Sequence, residues 1–310
     1  MKEEKGTERK RYWIMILILG ILFVFSALIS LTLVSSEDAV YYNTAIIPIK
    51  GTITTESGSG LFSESGASSQ DITSLIEKAK ADKNVKAIIF EIDSPGGSPV
   101  ATDEIASAIK GLKEDNITTV AWIRETGASG AYWVASSTDH IIANRMSIVG
   151  SIGVYGSYLE WYGLMDIYNV TYRRLVSGEY KDTGVPFRNL TEKEGTYLQS
   201  KLDRLHEFFI EAVAQNRNMP VEDVRKLATG EIFLGVEGKE NGLVDELGSK
   251  EEAIAYLKST IGEEVTTKEF SKDKSFIESL FDTLSKNSYY MGLGIGNGMF
   301  KGESGFKIMT

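Results

Sequence analysis

Val85-Lys86-Ala87-Ile88-Ile89-Phe90-Glu91-Ile92, followed by Asp93-Ser94-Pro95-Gly96-Gly97-Ser98-Pro99, is the stretch whose reading decides the fold. Its first eight residues form a nearly continuous apolar run without a period of two, as expected of a parallel strand buried on both faces. The run stops at a Pro/Gly turn, and Thr102 to Leu112 then takes helical spacing. The same succession recurs downstream. Thr119-Val120-Ala121-Trp122-Ile123 reads as a strand, Gly127-Ala128-Ser129-Gly130-Ala131-Tyr132 as a turn, and the chain to Ser136 as a helix. Upstream, Ala45 to Ile49 is a strand candidate, Glu56 to Gln70 a Ser/Gly-rich loop, and Asp71 the cap of a helix reaching Ala81. This alternation predicts an α/β protein. Both glycine-rich turns then fall at the carboxyl ends of strands, the edge at which open α/β sheets place their sites.

Those turns carry the candidate chemistry. Ser129 stands among small residues where a strand gives way to a helix, a seat that can hold a nucleophilic hydroxyl clear of bulky neighbours, or simply cap the helix. Gly96 and Gly97 follow a rigid proline; they can aim free N–H groups at a ligand as an oxyanion hole does, or form a plain tight turn. No Gly-Lys-Ser/Thr follows, so this is no phosphate-binding P-loop, and the tail glycines Gly292 to Gly298 do not fit a dinucleotide fingerprint. With no cysteine in the chain, disulfides, thiolate metal sites and a cysteine nucleophile are excluded. Only His140 and His206 could supply an imidazole, and each borders an apolar run that suits a structural histidine. A serine can instead use a lysine whose pKa burial lowers enough to leave the amine neutral. The candidate is Lys181, after a strand read over Tyr172 to Val176, where a solvated loop lysine is the alternative.

Residues 12–34 carry no charge and no proline, and 23 helical residues would reach about 35 Å, enough to cross a bilayer core as a retained anchor, with a cleaved signal peptide as the alternative. Five basic and three acidic residues precede them, and Glu37 and Asp38 follow, so the positive-inside rule predicts a cytoplasmic amino terminus and an exported remainder. The chain has 33 basic and 43 acidic residues, which leaves 28 against 40 beyond the apolar segment; nucleic acid is an unsuitable partner for such a surface.

Five motifs in order carry a resemblance: Asp93-Ser94-Pro95-Gly96-Gly97, Ala128-Ser129-Gly130-Ala131-Tyr132, Gly150-Ser151-Ile152-Gly153-Val154, Ser177-Gly178-Glu179-Tyr180-Lys181-Asp182 and Gly242-Leu243-Val244-Asp245-Glu246-Leu247-Gly248. Together they resemble the signal peptide peptidase A family of membrane-anchored Ser-Lys serine peptidases, over about residues 44–260. The resemblance implies a ClpP/crotonase-like fold and an endopeptidase that hydrolyses hydrophobic peptides such as cleaved signal peptides. Carried over by position, Ser129 is the nucleophile, Lys181 the base, Ser151 the serine that orients the lysine, and Gly96 and Gly97 the oxyanion site; Ala131 stands where the family often has a second glycine. No metal or cofactor is implied. A ring-shaped homo-oligomer completing each site across two protomers is implied. The domain reading is a cytoplasmic stretch 1–11, an anchor 12–34, an extracytoplasmic peptidase domain 35–270, and a tail 271–310. Residues 191–217 read as a long helix with Leu198, Leu202, Leu205 and Phe209 on its buried stripe, and Ser249 to Ile261 as another helix. A crotonase-like acyl-CoA enzyme and a non-catalytic membrane scaffold are the alternatives; the apolar anchor argues against the first and the paired Ser129 and Lys181 against the second.

Overall fold

The computed structural model describes residues 13, 15–26, 41–56 and 66–271. The chain divides into two units, residues 1–42 and 43–310. In the first, Trp13 and residues 15–26 are helical, with exposed apolar side chains. Among the described residues no helix is long and apolar enough to cross a membrane. The other residues of the expected anchor, 12, 14 and 27–34, lie outside the described ones, as do most of the Ser/Gly-rich loop and the tail beyond 271.

Among the described residues the second unit is built on an eight-stranded sheet, whose main path runs β10 (Thr267–Glu269), β1 (Thr44–Lys50), β4 (Ala87–Ser94), β5 (Thr118–Ala128), β6 (His140–Ala143) and β9 (Glu246–Leu247). Strands β1 (Thr44–Lys50), β4 (Ala87–Ser94) and β5 (Thr118–Ala128) are parallel neighbours. The apolar run that opened the reading is β4, and six of its first residues are buried on both faces as its composition requires. Pro48 is tolerated inside β1. Ile46 O accepts from Phe270 N–H, so Pro48, two residues on, directs its missing donor past the end of β10 (Thr267–Glu269).

One face of the sheet is covered by α1 (Ser69–Ala81), α2 (Pro99–Gly111) and α3 (Gly130–Ser136). On the other, Ile46, Ile89, Val120 and Ile142 pack with Ala253 and Leu257 of α8 (Lys250–Ile261). Pro99 starts α2, where its fixed φ and absent N–H cost nothing. The cap of α1 is Ser68, whose Oγ accepts from Asp71 N–H; Asp71, expected as the cap, lies in the first turn.

β5 is longer than its apolar residues suggest. Its first half pairs with β6 (His140–Ala143), and Thr126 to Ala128 pair with β7 (Ile148–Gly150). Polar Arg124 belongs to the strand because its guanidinium meets Glu91 on β4 at 2.9 Å. β7 pairs antiparallel with β8 (Ile232–Leu234). After a short helix α4 (Tyr162–Ile167), α5 (Glu192–Arg217) opens with a capping box between Thr191 and Glu194. Its buried face is Phe209, Ile210, Val213 and Ala214, whereas Leu205 of the expected stripe is exposed: the second half of α5 is the part that packs, with Phe209 stacked on Trp133 of α3. The strand expected at 172–176 does not form: the segment pairs with no strand, and Arg174 within it donates to Asp182 instead. The glycine-rich motif before α8 holds this end of the fold. Arg217 donates to Gly242 O and to both Asp245 oxygens, and buried Tyr132 donates to Leu243 O at 2.9 Å. Burial works against the Asp245 carboxylate, yet the Arg217 hydrogen bonds hold its pKa below the ordinary carboxylate range.

Candidate active site

Ser129 sits where β5 ends and α3 begins, half-buried, with φ 53 and ψ −128. A non-glycine residue in that region carries strain of about 1–3 kcal/mol, which the surroundings must enforce. They do so through β7, whose Gly150 O accepts the Ser129 N–H at 2.8 Å. The next residue, Ser151, is itself at φ 51, and its N–H is held by Glu231 O at 2.8 Å. The parallel pairing of Ala128 with Gly150 therefore sets Ser129 and Ser151 at the ends of adjacent strands, both on strained backbone.

Gly96 and Gly97 lie against Ser129. A Cβ on Gly96, at φ +97, would come within 2.7 Å of Gly130 N and 2.9 Å of Ser129 Cβ. The two glycines are not equivalent, because Gly96 N–H donates to Ser94 Oγ at 3.1 Å. Gly97 N–H has no acceptor among the described residues, and neither has Gly130 N–H at the first position of α3. Both residues line the same cavity as Ser129. Two unengaged backbone donors beside a held-out hydroxyl are what stabilisation of a tetrahedral oxyanion requires. Gly130 is thus an addition to the residues expected from sequence, and Gly97 rather than Gly96 is the donor left open. The rule that the residue after a serine nucleophile lends its N–H could have pointed to Gly130.

Gly97 also has no room for a side chain, since a Cβ there would lie 2.0 Å from Ile53 O on β2 (Ile53–Thr54). Gly97→Ala is expected to lower stability by about 1–3 kcal/mol in thermal or denaturant melts and to impair the site. Gly163→Ala, where nothing lies within 4 Å, should leave both unchanged.

The cavity, about 830 Å³, runs from Gly97, Ser129 and Gly153 between α2 and α5. Its apolar lining includes Phe208 and Trp133, the latter stacked on Phe209 at 5.0 Å between ring centroids. Lys181 is not among the lining residues. It is exposed, its Nζ pairs with nothing among the described residues, and within this chain it is not brought to Ser129. The loop that carries it is nonetheless fixed. Asp182 is gripped by Arg174 at 2.7 Å and Arg188 at 3.2 Å, and Arg188 reaches Glu194 at 2.5 Å. The Arg174 and Arg188 hydrogen bonds push Asp182 well below the usual carboxylate range, and those from Arg188 and the Thr191 backbone push Glu194 down to about 2.

Neither histidine serves Ser129. His140 pairs in register with Val120, eight strand positions before Ala128 and so about 26 Å away, and it is stacked on Tyr256. His206 lies on α5, outside the cavity lining. Among the described residues no group of His, Asp and Glu could hold a metal ion.

Between Tyr155 and Leu175 the chain exposes a run of large apolar side chains, with Tyr155 89%, Ile167 79% and Leu175 98% accessible. A monomer rarely leaves so many in one segment uncovered. The composition of the run is visible in the sequence, but it follows neither a helical nor a strand period.

Comparison with known proteins adds the family. The model described as "Peptidase family S49" matches residues 111–264. The "Putative protease MJ0651" of Methanocaldococcus jannaschii is 32% identical over 245 residues, 78% of this chain and 76% of that protein. The "Putative signal peptide peptidase SppA" of Enterococcus faecium is 34% identical over 68% of this chain and 62% of its own length. "Protease 4" of Haemophilus influenzae is 30% identical over 72% of this chain, which spans 35% of that longer protein.

Proposed function

The chain belongs to peptidase family S49, the signal peptide peptidase A family, and on that premise we propose a Ser-Lys serine endopeptidase with Ser129 as nucleophile. The observation that carries the reading is the strained Ser129 at a cavity mouth beside the unengaged N–H groups of Gly97 and Gly130. Ser129 Oγ attacks the scissile carbonyl, its proton passes to a neutral lysine amine, and the carbonyl oxygen becomes an oxyanion held by those N–H groups. The protonated lysine then gives its proton to the leaving amine, and water repeats the sequence on the acyl-enzyme.

The base in this reading is Lys181 of a neighbouring protomer, oriented by Ser151. Two features support it: Lys181 projects unpaired from an ionically fixed loop, and the exposed Tyr155–Leu175 run needs a cover such as a second copy provides. The apolar cavity walls suit hydrophobic peptides, including remnants of signal peptides. Residues 12–34 would anchor the enzyme with its amino terminus inside, so a protease added outside should reach the catalytic domain. Complete protection of that domain in sealed cells would reject this orientation.

A fluorophosphonate probe tests the core of the proposal. It should label the wild-type protein at Ser129, and Ser129→Ala should lose labelling and at least about 10³-fold in peptide turnover. Labelling at another residue, or turnover that survives in Ser129→Ala, would reject the assignment.

A further inference from the structure

The cavity beside Ser129 is apolar at its floor but unevenly charged at its walls. Asp103 and Glu104 on α2 and Glu211 on α5 line it, against Lys110 alone. Glu104 accepts from Ser69 Oγ at 2.5 Å. Asp103 and Glu211 are exposed, stand on opposite walls, and no cation among the described residues is paired with either. Thr102, fully buried in the α2 wall next to Gly130, keeps its Oγ1 without any hydrogen-bond partner. That hydroxyl is sealed from solvent and fills the space where a side chain on Gly130 would lie.

Resting on the peptidase reading above, we propose that this cleft selects peptides in which a basic side chain lies within a few residues of an apolar one. The apolar side chain packs on Trp133 and Phe208, and the ammonium or guanidinium group is drawn to Asp103 and Glu211. Low-dielectric walls of one sign concentrate the opposite charge, so the acidic pair raises the encounter rate as well as the affinity of such substrates. A peptide with an acidic residue at that position meets repulsion from both walls.

Two fluorogenic peptides test this, sharing one apolar segment and differing at a single flanking position as Lys or Glu. The full-length enzyme should cleave the Lys peptide with kcat/KM about tenfold higher, since each exposed charge contact is worth a few-fold. The preference should shrink at about 0.5 M salt, where screening acts within a few ångströms. In Asp103→Asn/Glu211→Gln the two peptides should be cleaved at similar rates, and Glu211→Lys should favour the Glu peptide. Equal rates in the wild type, or an unchanged preference in the double variant, would overturn the inference. Binding of both labelled peptides to Ser129→Ala, followed by fluorescence anisotropy, separates this from failure of the peptidase reading. Tighter binding of the Lys peptide without wild-type cleavage would reject only the chemistry, whereas equal binding would overturn the charge selection itself.

Discussion

If the proposed site is shared between protomers, assemblies formed from a mixture of Ser129→Ala and Lys181→Ala chains, each expected to be inactive alone, should recover activity. Within one chain nothing closes the dyad: Ser129 lines the cavity at the end of β5, while Lys181 is exposed, unpaired and absent from the lining. The lysine loop is also tied by its own ion pairs. Asp182 is held by two arginines, and one of them is tied to Glu194 at the start of α5, so moving the loop would break several charge-assisted hydrogen bonds at once. Under the proposed reading, this lysine serves the serine of another protomer. In an equal mixture, an interface pairs an intact Ser129 with an intact Lys181 about one time in four, so about a quarter of the wild-type rate is expected. Turnover should appear only after the two proteins are dissociated and reassembled together. Mixed rings, demonstrated by co-purification of differently tagged subunits, that stay as inactive as either parent would show that the dyad closes within a single chain.

What could be read from residues alone follows a physical divide. The buried strands were legible because a parallel strand covered on both faces has to be apolar throughout, and Ala87 to Ile92 is. The start of α5 was legible because Thr191 and Glu194 satisfy each other's backbone N–H groups locally. Polar strand residues were not. Arg124 and Thr126 extend β5 only because Glu91 and Asp93 of the neighbouring strand meet them, a pairing set by register. Tyr172 to Val176 has the composition of a strand but pairs with none, and β-propensity without a partner fixes no structure. At the site, motif order singled out Ser129, Ser151 and both glycines, and the fold sets the glycines against Ser129. The inequivalence of Gly96 and Gly97 depends on where Ser94 Oγ points, which no spacing reveals.

Lys181→Arg should abolish peptide turnover while leaving the fold and the assembly intact, a loss of at least about 10³-fold in kcat/KM. A guanidinium stays protonated at any usable pH and cannot accept the Ser129 proton, although it preserves the charge and nearly the length of the side chain. In the wild type the base acts only as free amine, so kcat/KM should climb with pH and level off on the alkaline side. Titration of the loop does not mimic that climb, as the sign of its linkage shows. Asp182 and Glu194 have folded-state pKa values below their unfolded ones, so the stability they contribute is complete above about pH 4–5 and is lost only as pH falls toward the depressed values, about 2 for Glu194. From neutral pH upward the loop stays fixed, and a rise in rate there reports the lysine. Arg188→Ala offers the complementary test. It should free the loop at every pH, lower kcat/KM throughout and leave the shape of the alkaline rise unchanged. A flat profile between pH 6 and 10 in the wild type, or appreciable turnover by Lys181→Arg, would remove Lys181 from the mechanism.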